Sequence, residues 1–169
     1  MLGFFDNFPK NIHRIEGFAS AFSIKKLQQR LIQVLREINR STFSFEEIAH
    51  PTLPKCTIYF EMGIADAESF SYIDEEETNH VLHALRKEPL GVMDIFCAVR
   101  YYKVETEKKT PLKFDYYIIR FAFRKDTMEM RVFHERGPRY VSPEEIVTFL
   151  VNKINGKSAR RILRRLEPS

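Results

Sequence analysis

The stretch from Phe114 to Gly156 constrains the fold more than any other part of the chain. Within it, apolar and polar residues alternate along two runs, which is typical of strands that bury one face. The runs are separated by Lys125 and Asp126. If these two residues form a hairpin loop, Phe123 lies opposite Met128, and every cross-strand pair on that face of the hairpin is apolar. The sequence therefore predicts an antiparallel hairpin here.

A helix from 143 to 155 is predicted directly after this hairpin. Ser142 is a favourable N-cap, Pro143 suits the first helical position, and Glu145 completes a capping box. Gly156 is a typical helix stop. A second amphipathic helix is predicted from 24 to 39, because its apolar residues recur at helical spacing.

The 169 residues suit a single domain spanning 1–169. Several strands follow one another late in the chain, which favours an antiparallel meander and an α+β fold. We expect a single curved antiparallel sheet of about four to five strands, with two long helices packed on one face. A short basic helix or tail is expected over 157–169, and an aromatic segment over 1–10.

The N-terminal aromatic segment contains Phe4, Phe5 and Phe8. We expect these rings to dock on the domain or on a second subunit. The segment is short and lacks a basic leader region, so we interpret it as neither a signal peptide nor a membrane span. Cys56 and Cys97 form no CxxC motif and are expected to be buried free thiols, which fits a reducing cytoplasm.

No catalytic motif stands out. The six glycines form neither a dinucleotide-binding nor a phosphate-binding loop, and no nucleophile elbow occurs. His134 is a candidate general base beside Glu135 and Arg136, but a surface salt-bridge cluster is the favoured interpretation because no nucleophile is in view. The sequence therefore leaves catalysis unsupported rather than excluded, favours a protein that is not an enzyme, and indicates no cofactor.

Glu76, His80 and His83 share one face of a predicted acidic helix at spacings of four and three residues. Imidazole and carboxylate groups are suitable zinc ligands, but a solvated acidic helix explains the same pattern, and no fourth ligand is evident. The sequence therefore predicts no metal site here and leaves weak binding open.

The strongest functional signal is the basic C-terminal stretch, which carries six Lys or Arg residues between Lys153 and Arg165 with no acid among them. On a helix, Arg161, Arg164 and Arg165 would share one side, and such a cluster suits phosphate contacts. The hairpin adds basic residues on its polar face, where the like charges of Arg120 and Arg131 lie opposite each other. The candidate nucleic-acid-binding residues are Lys153, Lys157, Arg160, Arg161, Arg164, Arg165, Arg120, Arg124 and Arg131.

These observations favour a non-enzymatic domain that binds nucleic acid through its basic tail. A net charge of +4 permits such a partner without requiring one. The tail has other interpretations: a helix that completes the core, a segment that docks on the acidic 61–77 stretch of its own chain or of a dimer mate, or a weak membrane-surface contact. The alternative functions are a homo-oligomeric structural protein without nucleic acid, and a small-ligand binder with a cavity between sheet and helices.

Overall fold

The computed structural model describes residues 1–50, 53, 55–105, 107–156 and 161–166. The strands are β1 Arg14–Ser20, β2 Thr42–Ser44, β3 Cys56–Asp66, β4 Ser69–Tyr72, β5 Val92–Glu105, β6 Lys108–Pro111, β7 Asp115–Arg124, β8 Thr127–Arg136 and β9 Leu163–Arg165. The helices are α1 Ile24–Asn39, α2 Glu75–Lys87 and α3 Pro143–Asn155, with a short 3-10 turn at Phe45–Glu47.

All nine strands belong to one antiparallel sheet in the order β2-β3-β5-β7-β8-β1-β9, while β4 pairs with β3 and β6 pairs with β5. The expected architecture, a sheet of four to five strands with only two long helices, is therefore wrong, since the described residues form nine strands and a third helix, α2, beside α1 and α3. Four of the strands, β2, β4, β6 and β9, have only three or four residues. Runs this short are too brief to display the alternation that identifies a strand in sequence.

The expected hairpin is confirmed as β7 and β8. Phe123 pairs with Met128, Phe121 with Met130, and Arg120 lies directly opposite Arg131. Asp126 in the turn adopts a positive φ of 64°, which an aspartate tolerates in a tight turn.

Both long helices are confirmed with their expected bounds. α1 spans Ile24–Asn39 and is capped by Ser23, whose side chain accepts a hydrogen bond from the backbone N–H of Lys26. α3 spans Pro143–Asn155 and begins with the expected capping box between Ser142 and Glu145. α2 packs on α1, so the three helices and one face of the sheet enclose a common core. In the described part of the chain, no helix has the length and apolar character needed to cross a membrane.

The other face of the sheet, called the open face below, carries the alternate residues of the pattern, among them Arg120, Arg124 and Arg131. The N-terminal segment crosses this face, which confirms that its aromatic residues dock on the domain. The backbone N–H of Gly3 donates a hydrogen bond to Ala65 O at 2.7 Å. The carbonyl oxygen of Gly3 accepts a hydrogen bond from the backbone N–H of Asp94 at 2.6 Å. Phe4 and Phe8 contact Arg120, and Phe5 packs on Phe70 with ring centroids 4.7 Å apart.

The expected basic helix at the C-terminus is wrong for residues 161–166. Residues Leu163–Arg165 form β9, which pairs with β1, and Leu166 donates its N–H to Gly17 O at 2.9 Å. Ile162 and Leu163 are 4% and 1% exposed. The strand forms because the outer edge of β1 presents backbone groups that need partners, and two adjacent apolar residues can be buried there. Lys157 and Arg160 lie outside the described residues.

Candidate functional site

A groove of about 650 Å³ runs between α3 and β9. Polar side chains of α3 border it on one side and basic residues of the tail border it on the other. The polar residues of α3 are Thr148, Asn152 and Asn155, and the basic residues are Arg161, Arg164 and Arg165. The structure therefore brings together the three tail arginines that the sequence grouped, although they lie on and beside a strand.

The local fold explains how the two sides of the groove face each other. Thr148, Asn152 and Asn155 follow at spacings of four and three residues, which places them on one face of α3. Asn155 then joins the helix to the strand. Its Oδ1 accepts a hydrogen bond from the backbone N–H of Leu163 at 2.8 Å, and its Nδ2 donates to Leu163 O at 3.2 Å. This two-point contact fixes the width of the groove where β9 begins.

The three arginines differ in what they already bind. Arg165 donates to Glu16 Oε1 at 2.7 Å and to Thr148 Oγ1 at 2.9 Å, so it holds β9 against β1 and α3. Arg161 and Arg164 are exposed and make no ion pair among the described residues. Because β9 is the last strand of the sheet, Arg164 borders both the groove and the open face. Arg161 and Arg164 are thus the two arginines of the groove whose guanidinium groups form no ion pair among the described residues.

The remaining predicted residues lie elsewhere. Lys153 lies over the rings of Phe43 and Phe149, with its Nζ 5.0 and 5.7 Å from their centroids. Arg120 is bound by the buried carboxylate of Asp94.

Two further arginines lie on the open face. Arg131 pairs with Glu129 at 2.5 Å, and Arg124 is exposed. The registers place Arg124 and Arg164 in one cross-strand row, through Thr127 of β8 and Ala19 of β1. With two strands between them, their backbones are about 14 Å apart. Arg124 therefore extends the basic surface of the groove across the open face without lining the groove itself.

His134 does not belong to a surface salt-bridge cluster, which corrects the interpretation favoured from sequence. Its side chain is 8% exposed, and its Nε2 lies 2.8 Å from Oδ1 of the fully buried Asp115. Asp115 also accepts hydrogen bonds from Tyr101 Oη at 2.6 Å and from the backbone N–H groups of Arg139 and Tyr140 at 2.6 and 3.0 Å. A buried carboxylate with four polar contacts, two of them to backbone N–H groups of the loop between β8 and α3, fixes that loop.

The other candidate groups from the sequence take no part in this groove. Glu76, His80 and His83 project from α2, and no three His, Cys, Asp or Glu side chains are placed to bind one metal ion within the residues described. Cys56 and Cys97 are buried free thiols, as expected, and burial raises the pKa of each thiol. The acidic 61–77 stretch contributes β4 at the β3 side of the sheet, whereas β9 lies at its opposite end. Residues 161–166 therefore cannot dock on that stretch within one chain.

Thr148, Asn152 and Asn155 were not identified from the sequence. Their spacing along α3 was visible, but nothing indicated that the tail would return to this face of the helix. Comparison of the chain with protein-family models, with curated proteins and with solved structures found no match.

Proposed function

We propose that this protein binds nucleic acid without catalysing a reaction, and that the groove between α3 and β9 binds the phosphates. The observation that carries the proposal is the convergence of Arg161, Arg164 and Arg165 on one groove that is also lined by hydroxyl and amide side chains. Guanidinium groups bind phosphate oxygens in a forked, charge-assisted geometry. Serine, threonine, asparagine and glutamine side chains are common additional donors to phosphates.

The contacts that the three arginines already make support separate roles for them. Arg165 already binds Glu16 and Thr148, so it shapes the groove. Arg161 and Arg164 are exposed, so a phosphate would replace water at each guanidinium. Phosphate contacts carry no sequence information, so we expect binding to depend on salt much more than on base sequence.

The test is fluorescence anisotropy with labelled duplex and single-stranded DNA and RNA over a salt series. The double variant Arg161→Ala/Arg164→Ala is compared with the parent protein. The control is Arg40→Ala/Lys87→Ala, which removes the same charge from two exposed residues that do not border the groove. We expect the groove variant to weaken binding to every nucleic acid and to lower the slope of log affinity against log salt by about 0.7–0.9 for each lost contact.

Two results would contradict the proposal. Equal slopes for the groove variant and the charge-matched control would mean that the groove does not bind phosphates. Absence of binding by the parent protein at low salt would exclude nucleic acid as the partner. The alternatives of a homo-oligomer without nucleic acid, or of a small-ligand binder, predict that second result. We propose the cytoplasm as the location of this function, and the buried free thiols Cys56 and Cys97 are compatible with its reducing conditions.

A further inference from the structure

A second groove, of about 630 Å³, opens at the other end of the sheet, beside β3 and β5. It will be called the tyrosine groove, because three tyrosines from three different strands line it. Its main lining residues are Tyr59, Tyr72, Tyr102, Glu61, Arg100 and Lys109. Its size lies within the range of about 300–1,000 Å³ that is usual for ligand sites.

The tyrosine groove exists because β3 has a gap in its pairing along one edge. β2 pairs with β3 up to Tyr59, and β4 begins to pair with it only at Gly63. In the gap, the side chain of Asn39 replaces a neighbouring strand. It accepts a hydrogen bond from Met62 N at 2.9 Å and donates one to Met62 O at 3.0 Å. The backbone groups of Met62 are thus hydrogen-bonded without a neighbouring strand, and the space beside this part of β3 stays open.

The aromatic rings of the groove remain accessible. Tyr59 and Tyr102 form an edge-to-face pair, with centroids 5.2 Å apart and an interplanar angle of 88°. In such a pair the ring that presents its edge keeps both of its own faces free of its partner. Tyr72 contributes a third ring and is 47% exposed. Flat aromatic ligands can therefore stack on these rings without displacing a core side chain.

Two cations border the same rings. The Nζ of Lys109 donates to Tyr59 Oη at 2.6 Å, and this contact lowers the pKa of Tyr59. Arg100 pairs with Glu61 at 2.5 Å and lies 5.1 Å from the ring centroid of Phe114. Lys109 is exposed, whereas Arg100 is half-buried and paired with Glu61, so Lys109 is the cation that a phosphate can approach directly. Stacking surfaces bordered by Lys and Arg are the arrangement that binds unpaired nucleotides on a sheet face.

We infer that the tyrosine groove stacks unpaired nucleobases, so that single-stranded nucleic acid is the preferred ligand class of this protein. The inference rests on the proposed function for its ligand and adds a second site to it. The groove between α3 and β9 binds phosphates of any strand. The tyrosine groove distinguishes strands with accessible bases from duplexes, whose bases are stacked on one another.

The test compares Tyr72→Ala/Tyr102→Ala with Tyr72→Phe/Tyr102→Phe, because phenylalanine keeps the ring and removes only the hydroxyl. The ligands are a labelled single strand of about ten nucleotides, a duplex of the same length, and an abasic single strand that has phosphates but no bases. We expect the alanine variant to lose at least about fivefold in affinity for the normal single strand. Its affinity for the duplex and for the abasic strand should stay within about twofold of the parent protein, and the phenylalanine variant should match the parent.

Failure of the two proposals can be told apart. Suppose that Arg161→Ala/Arg164→Ala lowers the affinity for all three ligands while the tyrosine variants bind like the parent. Phosphate binding in the groove between α3 and β9 is then supported, and the stacking inference is overturned. An NMR titration with a thymidine dinucleotide gives an independent result even if the parent binds no longer strand. Shifts at Tyr59, Tyr72 and Tyr102 that exceed those at Thr148 and Asn152 support stacking, and unchanged tyrosine signals overturn it. Circular dichroism and a melting curve of each variant confirm that it is folded.

Discussion

The carboxylate of Asp94 binds the guanidinium of Arg120 at two points, with Nε 2.7 Å from Oδ1 and a terminal nitrogen 2.8 Å from Oδ2. Asp94 is fully buried on the open face, and it also accepts the backbone N–H of Phe5 at 2.8 Å. The rings of Phe4 and Phe8 lie 5.0 and 4.2 Å from the guanidinium carbon. This ion pair therefore helps to hold the N-terminal segment on the sheet, together with the backbone hydrogen bonds of Gly3.

Replacing Asp94 by Asn should destabilise the fold by about 3–5 kcal/mol, because Arg120 would lose the charge that compensates it in a largely buried position. Urea unfolding measures the change. The control is Glu129→Gln, which breaks the exposed pair with Arg131 and should cost less than about 1 kcal/mol. Similar losses in the two variants would show that the Asp94 pair is no more important than a surface ion pair.

Gly137 cannot be replaced without strain. Its φ is +113°, and a Cβ at this position would collide with Phe114 O and with Oδ1 of the buried Asp115. Gly137→Ala should therefore destabilise the protein by about 2 kcal/mol or more. Gly91→Ala is the matched control, since nothing lies within 4 Å of its added Cβ and its φ is not positive. The melting temperatures of the two variants measure the difference. An equally large decrease for Gly91→Ala and Gly137→Ala would contradict the prediction.

Stability should fall as the pH rises above about 9. Burial raises the pKa of the Cys97 thiol, so the folded protein keeps this proton when the unfolded chain releases it. The unfolded state then binds fewer protons, and the free energy of unfolding decreases by about 1.4 kcal/mol per pH unit for this group. Burial also raises the pKa of Tyr101 and of Tyr117, which adds to the loss above about pH 10.

Urea unfolding at a series of pH values from about 8 to 10 measures this dependence. The variant Cys97→Ala should lose less stability per pH unit over that range, even though its stability at pH 8 is lower because a buried side chain has been shortened. Parallel curves for the variant and the parent protein would mean that the Cys97 thiol does not resist ionisation in the folded state.

The pairing of β9 with β1 should be visible in amide hydrogen exchange. Leu166 donates its N–H to Gly17 O, and Ala21 donates to Ile162 O at 2.8 Å. Both amides should exchange more slowly than the amide of the exposed turn residue Lys125, because they are released only when β9 opens. Leu163→Ala should speed the exchange of both, since it removes a buried side chain that holds the strand. Unprotected amides at Ala21 and Leu166 would contradict a strand at this position.

The sequence predicted the parts of the fold in which the pattern is long. Apolar and polar residues alternate over ten residues in each of β7 and β8, and the apolar stripe of α1 extends over four turns. Patterns of this length fit only one type of secondary structure. The helix predicted for the tail is wrong because its apolar residues, Ile162, Leu163 and Leu166, also fit one side of a helix. What decided the outcome was the unpaired edge of β1, a tertiary feature that lies far away in sequence.

The two grooves differ in how far the sequence could indicate them. The sequence indicated only one side of the groove between α3 and β9. Its arginines are close together in the chain, but nothing in the sequence relates them to the polar residues of α3. The tyrosine groove was missed because Tyr59, Tyr72 and Tyr102 come from three strands and share no spacing. Tyr59 and Tyr102 do occupy the outward positions of alternating strands. An aromatic residue at such a position is the local signal that was available.

The strand order also sets a time scale for folding. β1 spans Arg14–Ser20 but lies between β8, which begins at Thr127, and β9, which begins at Leu163. Closing loops of more than 100 residues carries an entropic cost before any hydrogen bond forms, and sheets built this way fold in milliseconds to seconds. Phe18, fully buried in the finished core, therefore lacks its strand neighbours Met128 and Arg165 until the last quarter of the chain is available. During synthesis, β1 would therefore be the strand with the longest interval between its own synthesis and that of its neighbours, β8 and β9.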